Sequence, residues 1–297
     1  MTSTSQSPRP ASDSLWKFGG LSPFRLCRNV LGAVVHDDLF SRASGLAFDF
    51  ILALFPLLLF LLALFGLFKS HGSALLDSLL SYFTEFLPPA ASQLFDSIAD
   101  ELAAHSGGGK ITFGIAAGLW FASGGMSSMI STLNGVFRVR EARSWLRVRA
   151  IAVFLTLVMA VFLLSALLVV LAGGRLVGWL AGEFAWSSSL AVVWKPLQWP
   201  AAALFVMVSF SLIYYVGPNL ESRRRRWITP GSVFGALLWF ASSLCLRIYM
   251  HFFDSYSATY GSLGAAIVLL VWLYVSGLSF LIGGEINAEI ERAALSG

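Results

Sequence analysis

The chain is poor in charge and in cysteine, and each shortage excludes a class of protein. Only 12% of its 297 residues are charged, against about 25% in an average soluble domain, so a single soluble core of this length is excluded. The two cysteines are Cys27, which precedes the first apolar run, and Cys245, which lies inside a later one. Two thiols at such different positions give no support for a structural disulfide.

The motifs of soluble enzymes are also missing. No nucleophile, base and orienting group can be recognised together in this one chain. Histidine is rare, and its four positions lack the spacing of metal ligands: His36, His71, His105 and His251. We therefore expect no metal, no cofactor and no enzymatic activity.

Six long apolar runs are the dominant feature of the sequence. The mean hydropathy is +0.76, and a helix needs about 20 largely apolar residues to cross the hydrocarbon core of a bilayer. The sequence therefore predicts an all-α polytopic membrane protein with six transmembrane helices, at residues 43–68, 111–133, 148–172, 196–216, 229–253 and 263–286.

The positive charges between these runs indicate the orientation. Fifteen of the 20 Lys and Arg residues lie in the two terminal tails and in the second and fourth connections, and the other connections hold only four. Because cytoplasmic loops carry the excess of Lys and Arg, both termini should be cytoplasmic. The fourth connection holds a basic run that either contacts anionic lipid headgroups or only fixes the topology: Arg223, Arg224, Arg225 and Arg226.

The domain organisation follows from composition. Residues 1–21 are predicted to form a disordered cytoplasmic tail, residues 22–291 a single membrane domain, and residues 292–297 a C-terminal cytoplasmic tail. Ser22 followed by Pro23 predicts the start of a helix. One face of that helix, which we expect to lie in the membrane interface, carries Leu26, Val30, Ala33 and Val34.

The first external connection, residues 69–110, is the longest. Apolar residues recur in it every four positions, on both sides of Pro88 and Pro89. This spacing predicts an external pair of amphipathic helices separated by the prolines. The pair either caps the helix bundle or lies on the outer leaflet.

Polar residues near the cytoplasmic ends of the spans are the first candidates for function, because a polar group in hydrocarbon is costly without a partner. Asp49, Asn134, Asn219 and Glu285 all fall at such positions. They predict a polar cavity that opens to the cytoplasm and binds substrate or ion. The alternative is that Glu285 and both asparagines are solvated or capping groups at helix ends. Asp49 fits that alternative least.

Two further groups of polar residues have alternative interpretations. Ser123, Ser127 and Ser131 follow helical spacing in the second span, where small polar residues either line the cavity or permit close helix packing. Arg247 lies in the outer half of the fifth span. It either extends to the membrane surface or binds a phosphate or substrate anion with its planar guanidinium group.

Four ordered motifs carry a family resemblance: YYVGPN at 214–219, WITPG at 227–231, SYSATYGSLG at 255–264 and GGEINAE at 283–289. With these motifs the chain resembles the YihY/BrkB family, also called ribonuclease BN-like, over residues 25–291. The resemblance implies a six-span protein of the bacterial inner membrane, and some members are linked by name to virulence. The chain has Asp49 and Ala53 where many members have a tyrosine and a serine.

Three functions remain open. The polar cavity favours a transporter or exporter of a lipid, a solute or an envelope component. A cation/proton antiporter would use Asp49 with Glu285, since two close carboxylates can share a proton. A non-transporting envelope scaffold would use the polar residues for packing and capping. A ribonuclease is not favoured, because the spans bury no cluster of acids and histidines. We expect membrane lipids and a possible second copy of the chain as partners, and no nucleic acid.

Overall fold

The computed structural model describes residues 18–69, 108–184, 187–220, 227–252 and 255–296. Within these ranges all regular elements are helical, which confirms the all-α prediction. The elements are a 3-10 turn at Phe18–Gly20 and the helices α1 Pro23–His36, α2 Leu39–Lys69, α3 Gly108–Val136, α4 Trp145–Phe184, α5 Ser187–Val216, α6 Pro230–Phe252 and α7 Ser255–Ser296.

Helix α1 begins as the capping residues predict. The Ser22 side chain accepts a hydrogen bond from the Arg25 backbone N–H at 3.4 Å, and Pro23 occupies the first helical position, where its missing N–H costs nothing. The predicted apolar face is buried: Leu26, Val30, Ala33 and Val34. Since α1 packs against α7, this face contacts protein. The position of α1 in the membrane interface stays a prediction.

Each of the six predicted apolar runs coincides with one of the helices α2 to α7. Helix α7 begins eight residues before its predicted span and continues ten residues beyond the predicted span end at residue 286. The segment from Asn287 to Leu295 contains neither glycine nor proline, so nothing in it ends the helix. The predicted C-terminal tail is therefore helical through Ser296.

Three of the described helices contain a segment long and apolar enough to cross a membrane: Trp145–Ala166, Pro230–Tyr249 and Ala266–Leu295. Between 22% and 28% of the residues in these segments are buried, so most of their apolar side chains face outward. Phe154, Leu237 and Ile267 are examples. Apolar surface on this scale suits a lipid environment and would aggregate in water. The count of six spans stays a prediction.

The chain forms two compact units that alternate along the sequence. Unit 1 comprises Met1–Ala47, Ile130–Ala142 and Phe210–Gly297, and unit 2 comprises Phe48–Met129 and Arg143–Ser209. The single membrane domain predicted for residues 22–291 stays a prediction.

Unit 1 is built on a close contact between α6 and α7, in which two glycines face each other. A Cβ atom added to Gly283 would lie 2.5 Å from the Gly231 carbonyl oxygen, which is far inside van der Waals contact. Beside this contact the ring of Tyr214 stacks on Phe280 with 4.9 Å between ring centroids. The Tyr214 hydroxyl donates a hydrogen bond to the Phe280 carbonyl oxygen. Small residues thus let two helix backbones approach closely, as membrane helices commonly do.

The 3-10 turn before α1 also packs in unit 1. Gly19 has φ of 63°, and a Cβ atom there would lie 2.6 Å from the Ile290 carbonyl oxygen of α7. The left-handed backbone and the close approach both require glycine. The chain is therefore ordered at Phe18–Gly20, within the segment predicted as the N-terminal tail.

Unit 2 packs α2, α3 and α4 around Phe60 and Ala160, which are both buried. Leu57, Leu119 and Leu164 pack against this pair. Gly118 and Gly125 bring α3 close to α2. A Cβ atom on Gly118 would lie 3.3 Å from the Pro56 carbonyl oxygen, and one on Gly125 would lie 3.1 Å from the Ala53 Cβ.

Two predicted features lie wholly or largely outside the described residues. The external amphipathic pair was predicted for residues 69–110, of which the structure describes only Lys69, the last residue of α2, and the first residues of α3. The basic run Arg223 to Arg226 falls between the described ranges. Both predictions therefore stay as they were.

Candidate functional site

Glu285 is a fully buried acidic residue of unit 1. Its side chain is 0% exposed, although it lies on α7 inside a segment apolar enough to cross a membrane. One carboxylate oxygen, Oε1, accepts a hydrogen bond from Arg292. The other, Oε2, has no partner among the described residues. Removing a carboxylate from water costs several kcal/mol, which a single ion pair offsets only in part.

The neighbours of Glu285 on α7 follow from helical spacing. Residues 285, 289 and 292 lie at i, i+4 and i+7 and so share one helix face. Arg292 lies 3.1 Å from Glu289 Oε1 as well as contacting Glu285. Glu289 Oε2 accepts a hydrogen bond from Asn29 Nδ2 of α1 at 3.4 Å. We call Glu285, Glu289, Arg292 and Asn29 the carboxylate site.

Arg292 is incompletely satisfied within this site. Its Nη2 serves both carboxylates, and its Nε donates to the Ala288 carbonyl oxygen at 3.3 Å. Its Nη1 is buried without a partner in the described part of the chain. One guanidinium group thus joins two carboxylates while an acceptor on Glu285 and a donor on Arg292 stay unused. An unused buried polar atom is costly, and such atoms mark places where a further ligand or a rearrangement gains energy.

A second charged group adjoins this site at the turn between α1 and α2. Arg138 Nη2 lies 3.1 Å from both carboxylate oxygens of Asp37, and His36 Nδ1 lies 2.8 Å from Oδ1. Burial alone would raise the pKa of Asp37, but the hydrogen bonds with His36 and Arg138 outweigh burial and hold that pKa below its usual value. Asp37 is therefore a stable anion.

The charges acting on Glu285 come from two elements. On α7, Arg292 attracts its negative charge and Glu289 repels it. From the turn between α1 and α2, Asp37 also repels it. Two anions and one cation therefore surround a buried carboxylate that has a free oxygen. Of these three charges, that of Arg292 acts most strongly on Glu285.

The structure brings the two predicted asparagines, Asn134 and Asn219, into contact with each other through a hydrogen bond near helix ends. Asn134 Oδ1 accepts a hydrogen bond from the Asn219 backbone N–H at 2.7 Å, and Asn134 Nδ2 donates to Glu141 Oε2 at 2.9 Å. Asn219 Nδ2 donates to the Arg140 carbonyl oxygen at 2.9 Å. The Asn134 side chain therefore has partners on both its donor and its acceptor side, and the Asn219 side chain donates to the loop after α3. This arrangement clamps the end of α3 to the loop that follows α5, and it fits the capping alternative.

Asn287 is a site residue that sequence reasoning missed. Its Oδ1 accepts a hydrogen bond from the Gly231 backbone N–H at 2.9 Å, at the N-terminus of α6. Its buried Nδ2 has no partner among the described residues. The motif GGEINAE contains Glu285, Asn287 and Glu289 together. Membership of this motif is the feature of the sequence that could have indicated Asn287. Arg292 was missed because it had been counted as a charge of the C-terminal tail.

The remaining predicted residues lie elsewhere. Asp49 is half-buried on α2 in unit 2, where its backbone faces Gly125. Arg247 is exposed on α6 in unit 1. The joint cavity of Asp49 with Glu285 stays a prediction.

The predicted serine face of α3 does not have one environment. Ser123 is fully buried and donates to the Trp120 carbonyl oxygen of its own helix at 2.7 Å. Ser127 accepts a hydrogen bond from Arg149 Nη1 at 3.4 Å. Ser131 is exposed. The close contact with α2 is made by Gly118 and Gly125 instead, so the lining role of the serines stays a prediction.

An arginine and two tryptophans form a second cluster, in unit 2. The Arg149 guanidinium lies over the Trp120 ring at 4.4 Å from its centroid and also donates to the Trp120 carbonyl oxygen. Trp145 packs edge-on against Trp120 at 6.1 Å. Because its Nη1 and Nη2 are both bonded to α3, Arg149 acts as a structural clamp between α4 and α3. Within the described ranges, no three His, Cys, Asp or Glu side chains gather as a set of metal ligands.

Comparison with known proteins places these features in a family. A family model described as Virulence factor BrkB matches residues 30–296. A putative ribonuclease-like protein, YfkH of Bacillus subtilis, is 37% identical over 253 residues, which cover 85% of this chain and 90% of that protein.

More distant relatives are named as membrane proteins. A UPF0761 membrane protein of Rhodospirillum centenum is 28% identical over 261 residues, and the match spans 86% of this chain but only 55% of that protein. A UPF0761 membrane protein of Pseudoalteromonas translucida is 25% identical over 258 residues, which cover 86% of this chain and 82% of the relative. No solved structure matches the chain significantly.

Proposed function

The chain belongs to the BrkB family of membrane proteins, and we propose that it is a transporter driven by a small cation or proton that binds at Glu285. The cargo is a lipid, a solute or an envelope component. The protein resides in the bacterial plasma membrane with both termini in the cytoplasm, in agreement with the distribution of Lys and Arg. The resemblance to the YihY/BrkB family drawn from its motifs points to the same family.

One observation carries the proposal: Glu285 is fully buried in an apolar helix and one of its carboxylate oxygens has no partner in the described residues. A purely structural ion pair gains most when both oxygens and all donors are bonded. In membrane proteins, ionisable residues within helices mark ion and substrate pathways. The unused Oε2 is therefore the position at which a proton or a monovalent cation binds.

The neighbouring charges supply the coupling. A cation on Glu285 cancels its negative charge, so the attraction of Arg292 to Glu285 falls and that to Glu289, 3.1 Å away, remains. The remaining attraction favours a movement of Arg292 towards Glu289, which is bonded to Asn29 of α1. Loading of the site would thus change the contact between α7 and α1. Two arrangements of one arginine are what a transporter needs to link ion binding to a conformational change.

The test uses purified protein in liposomes that contain a trapped pH-sensitive dye. A gradient of Na⁺, K⁺ or Li⁺ across the liposome membrane should change the internal pH, because a cation that binds Glu285 displaces a proton from the same carboxylate. Glu285→Gln removes the ionisable group with little change in volume and should reduce the signal to that of protein-free liposomes. Asp38→Asn is the matched control, since Asp38 is an exposed carboxylate with φ of 52°, a conformation that asparagine tolerates.

Each alternative function has its own outcome in the same preparation. An unchanged signal in folded Glu285→Gln protein overturns coupling at this site. Loss of the signal in both Asp49→Asn and Glu285→Gln would contradict ion binding at Glu285 alone and would favour the antiporter that uses both carboxylates. Cation gradients without effect, together with movement of fluorescent lipid headgroups between leaflets, indicate an uncoupled lipid transporter. RNA cleavage that is lost in Glu285→Gln would establish the enzyme that we do not favour.

A further inference from the structure

Helix α1 carries a second apolar face that no described residue covers. Phe24, Leu31 and Val35 are 77%, 63% and 73% exposed. Their spacing of seven and four residues places them on one side of the helix, turned away from the buried residues Leu26 and Val30. We call Phe24, Leu31 and Val35 the outer strip. Three large apolar side chains exposed on a single short helix are unusual in water.

The charge on α1 indicates what covers the outer strip. Arg25 and Arg28 are exposed on the same helix, and the sequence of α1, PFRLCRNVLGAVVH, contains no acidic residue. Helical spacing places Arg28 directly beside the outer strip, next to Val35 and Phe24. Arg25 lies at a larger angle from the strip, on the polar side of the helix. An apolar strip bordered by arginines is the pattern of a helix that lies in the interface of an anionic membrane.

The position of α1 in the chain supports the same occupant. Only Asp37 and Asp38 separate α1 from α2, and α2 contains the first predicted span, residues 43–68. The turn is fixed, because Arg42 Nε donates to the Asp37 carbonyl oxygen at 2.7 Å and Arg138 pairs with the Asp37 side chain. A helix held this close to the end of a membrane-spanning helix lies at the level of the lipid headgroups.

We propose that the outer strip of α1 docks into the headgroup boundary of the surrounding bilayer, with Arg25 and Arg28 on the phosphates of anionic phospholipids. One face of α1 then contacts α7 and the opposite face contacts lipid. The helix is therefore placed to transmit the composition of the leaflet to α7, which it also contacts through Asn29 and Glu289. This inference is independent of ion binding at Glu285.

The test uses Cys27, an exposed native cysteine on α1, as the site of an environment-sensitive fluorophore. Cys245→Ser leaves Cys27 as the single thiol of this 297-residue chain. The protein is placed in nanodiscs of pure phosphatidylcholine or of an equal mixture with phosphatidylglycerol. Lipids that carry a quenching nitroxide either near the headgroup or near the chain end report the depth of the fluorophore.

We expect the headgroup nitroxide to quench more strongly than the chain-end nitroxide, and to quench more in the anionic mixture. Each arginine near an anionic surface should favour the docked state by about fivefold. The double variant Arg25→Gln/Arg28→Gln should therefore lose the difference between the two lipid compositions. Phe24→Gln/Leu31→Gln should lose quenching in both. Gly32→Gln is the matched control, because Gly32 is an exposed position of α1 with open space around it.

Two outcomes overturn the proposal. A fluorophore that stays in water in both compositions, with every variant folded, means that the outer strip does not contact lipid. A blue-shifted fluorophore that appears only in nanodiscs loaded with two copies, and not with one, means that a second copy of the chain covers the strip.

Discussion

Alanine at Gly231 should destabilise unit 1 severely, because the atom nearest to the added methyl group belongs to the backbone of Gly283 and cannot move aside as a side chain can. A Cβ atom there would overlap the Gly283 carbonyl oxygen and lie 2.5 Å from Asn287 Oδ1. The Gly231 N–H also donates to that same Oδ1 at 2.9 Å. To make room, α6 and α7 have to separate at their closest contact, and the hydrogen bond to Asn287 is strained or lost.

The expected magnitude follows from opposing contributions. Replacing glycine by alanine inside a helix gains about 1 kcal/mol of helix propensity. Forcing a methyl group into a tightly packed contact costs about 1–3 kcal/mol or more, and leaving the Asn287 amide oxygen without its donor costs about 1–3 kcal/mol. We therefore expect Gly231→Ala to lower the free energy of unfolding by about 2–4 kcal/mol, since packing outweighs propensity.

The assay is reversible unfolding in a fixed detergent, with helix content as the signal. Gly45→Ala is the matched control, because Gly45 lies within α2 in unit 1 and no atom lies within 4 Å of the added Cβ. That variant should be neutral or stabilised by up to about 1 kcal/mol. Equal stability of Gly231→Ala and Gly45→Ala would refute the close α6–α7 contact and the reasoning built on it.

Two further predictions concern pH and orientation. Because the bonds to His36 and Arg138 lower the pKa of Asp37, its contribution to stability is present above the ordinary value of about 3.9 and is lost as the pH falls through the lower folded value. Asp37→Asn should remove that part of the loss of thermal stability at acid pH. An unchanged loss of stability at acid pH would contradict the stabilising role of the Asp37 bonds to His36 and Arg138. With Cys245→Ser, a membrane-impermeant maleimide should leave Cys27 unmodified in intact cells and label it after lysis. Labelling in intact cells would place the N-terminus outside.

The start of α1 and its buried face were predictable because both depend on local rules. Ser22 and Pro23 form a cap that needs no distant partner. Leu26 and Val30 share a face whatever covers it. What the pattern does not contain is the identity of the covering surface. Since α7 covers this face, the outer strip became recognisable as a separate surface only from the structure.

The carboxylate site was only partly predictable. Glu285 stands out in the sequence as an acid inside an apolar run, and it was a candidate for that reason. Its partner Arg292 lies beyond the end of that run, so a count of charges by connection assigned it to a tail. The spacing of Glu285, Glu289 and Arg292 fits one helix face, but its meaning depends on α7 continuing through Ser296.

The polar residues of unit 1 differ in how far their hydrogen bonds are satisfied, and this difference separates structure from function. The Asn134 side chain has partners on both its donor and its acceptor side, and Asn219 donates through its backbone N–H and its Nδ2. Exchanging either residue for an apolar one would break the clamp between the end of α3 and the loop after α5. Glu285 is more deeply buried than either asparagine, yet its Oε2 has no partner among the described residues, and the charges of Arg292, Asp37 and Glu289 all act on it. In a scaffold protein that arrangement would cost desolvation energy without completing a contact. In the proposed ion-coupled transporter, the unpaired oxygen is where the driving ion would bind.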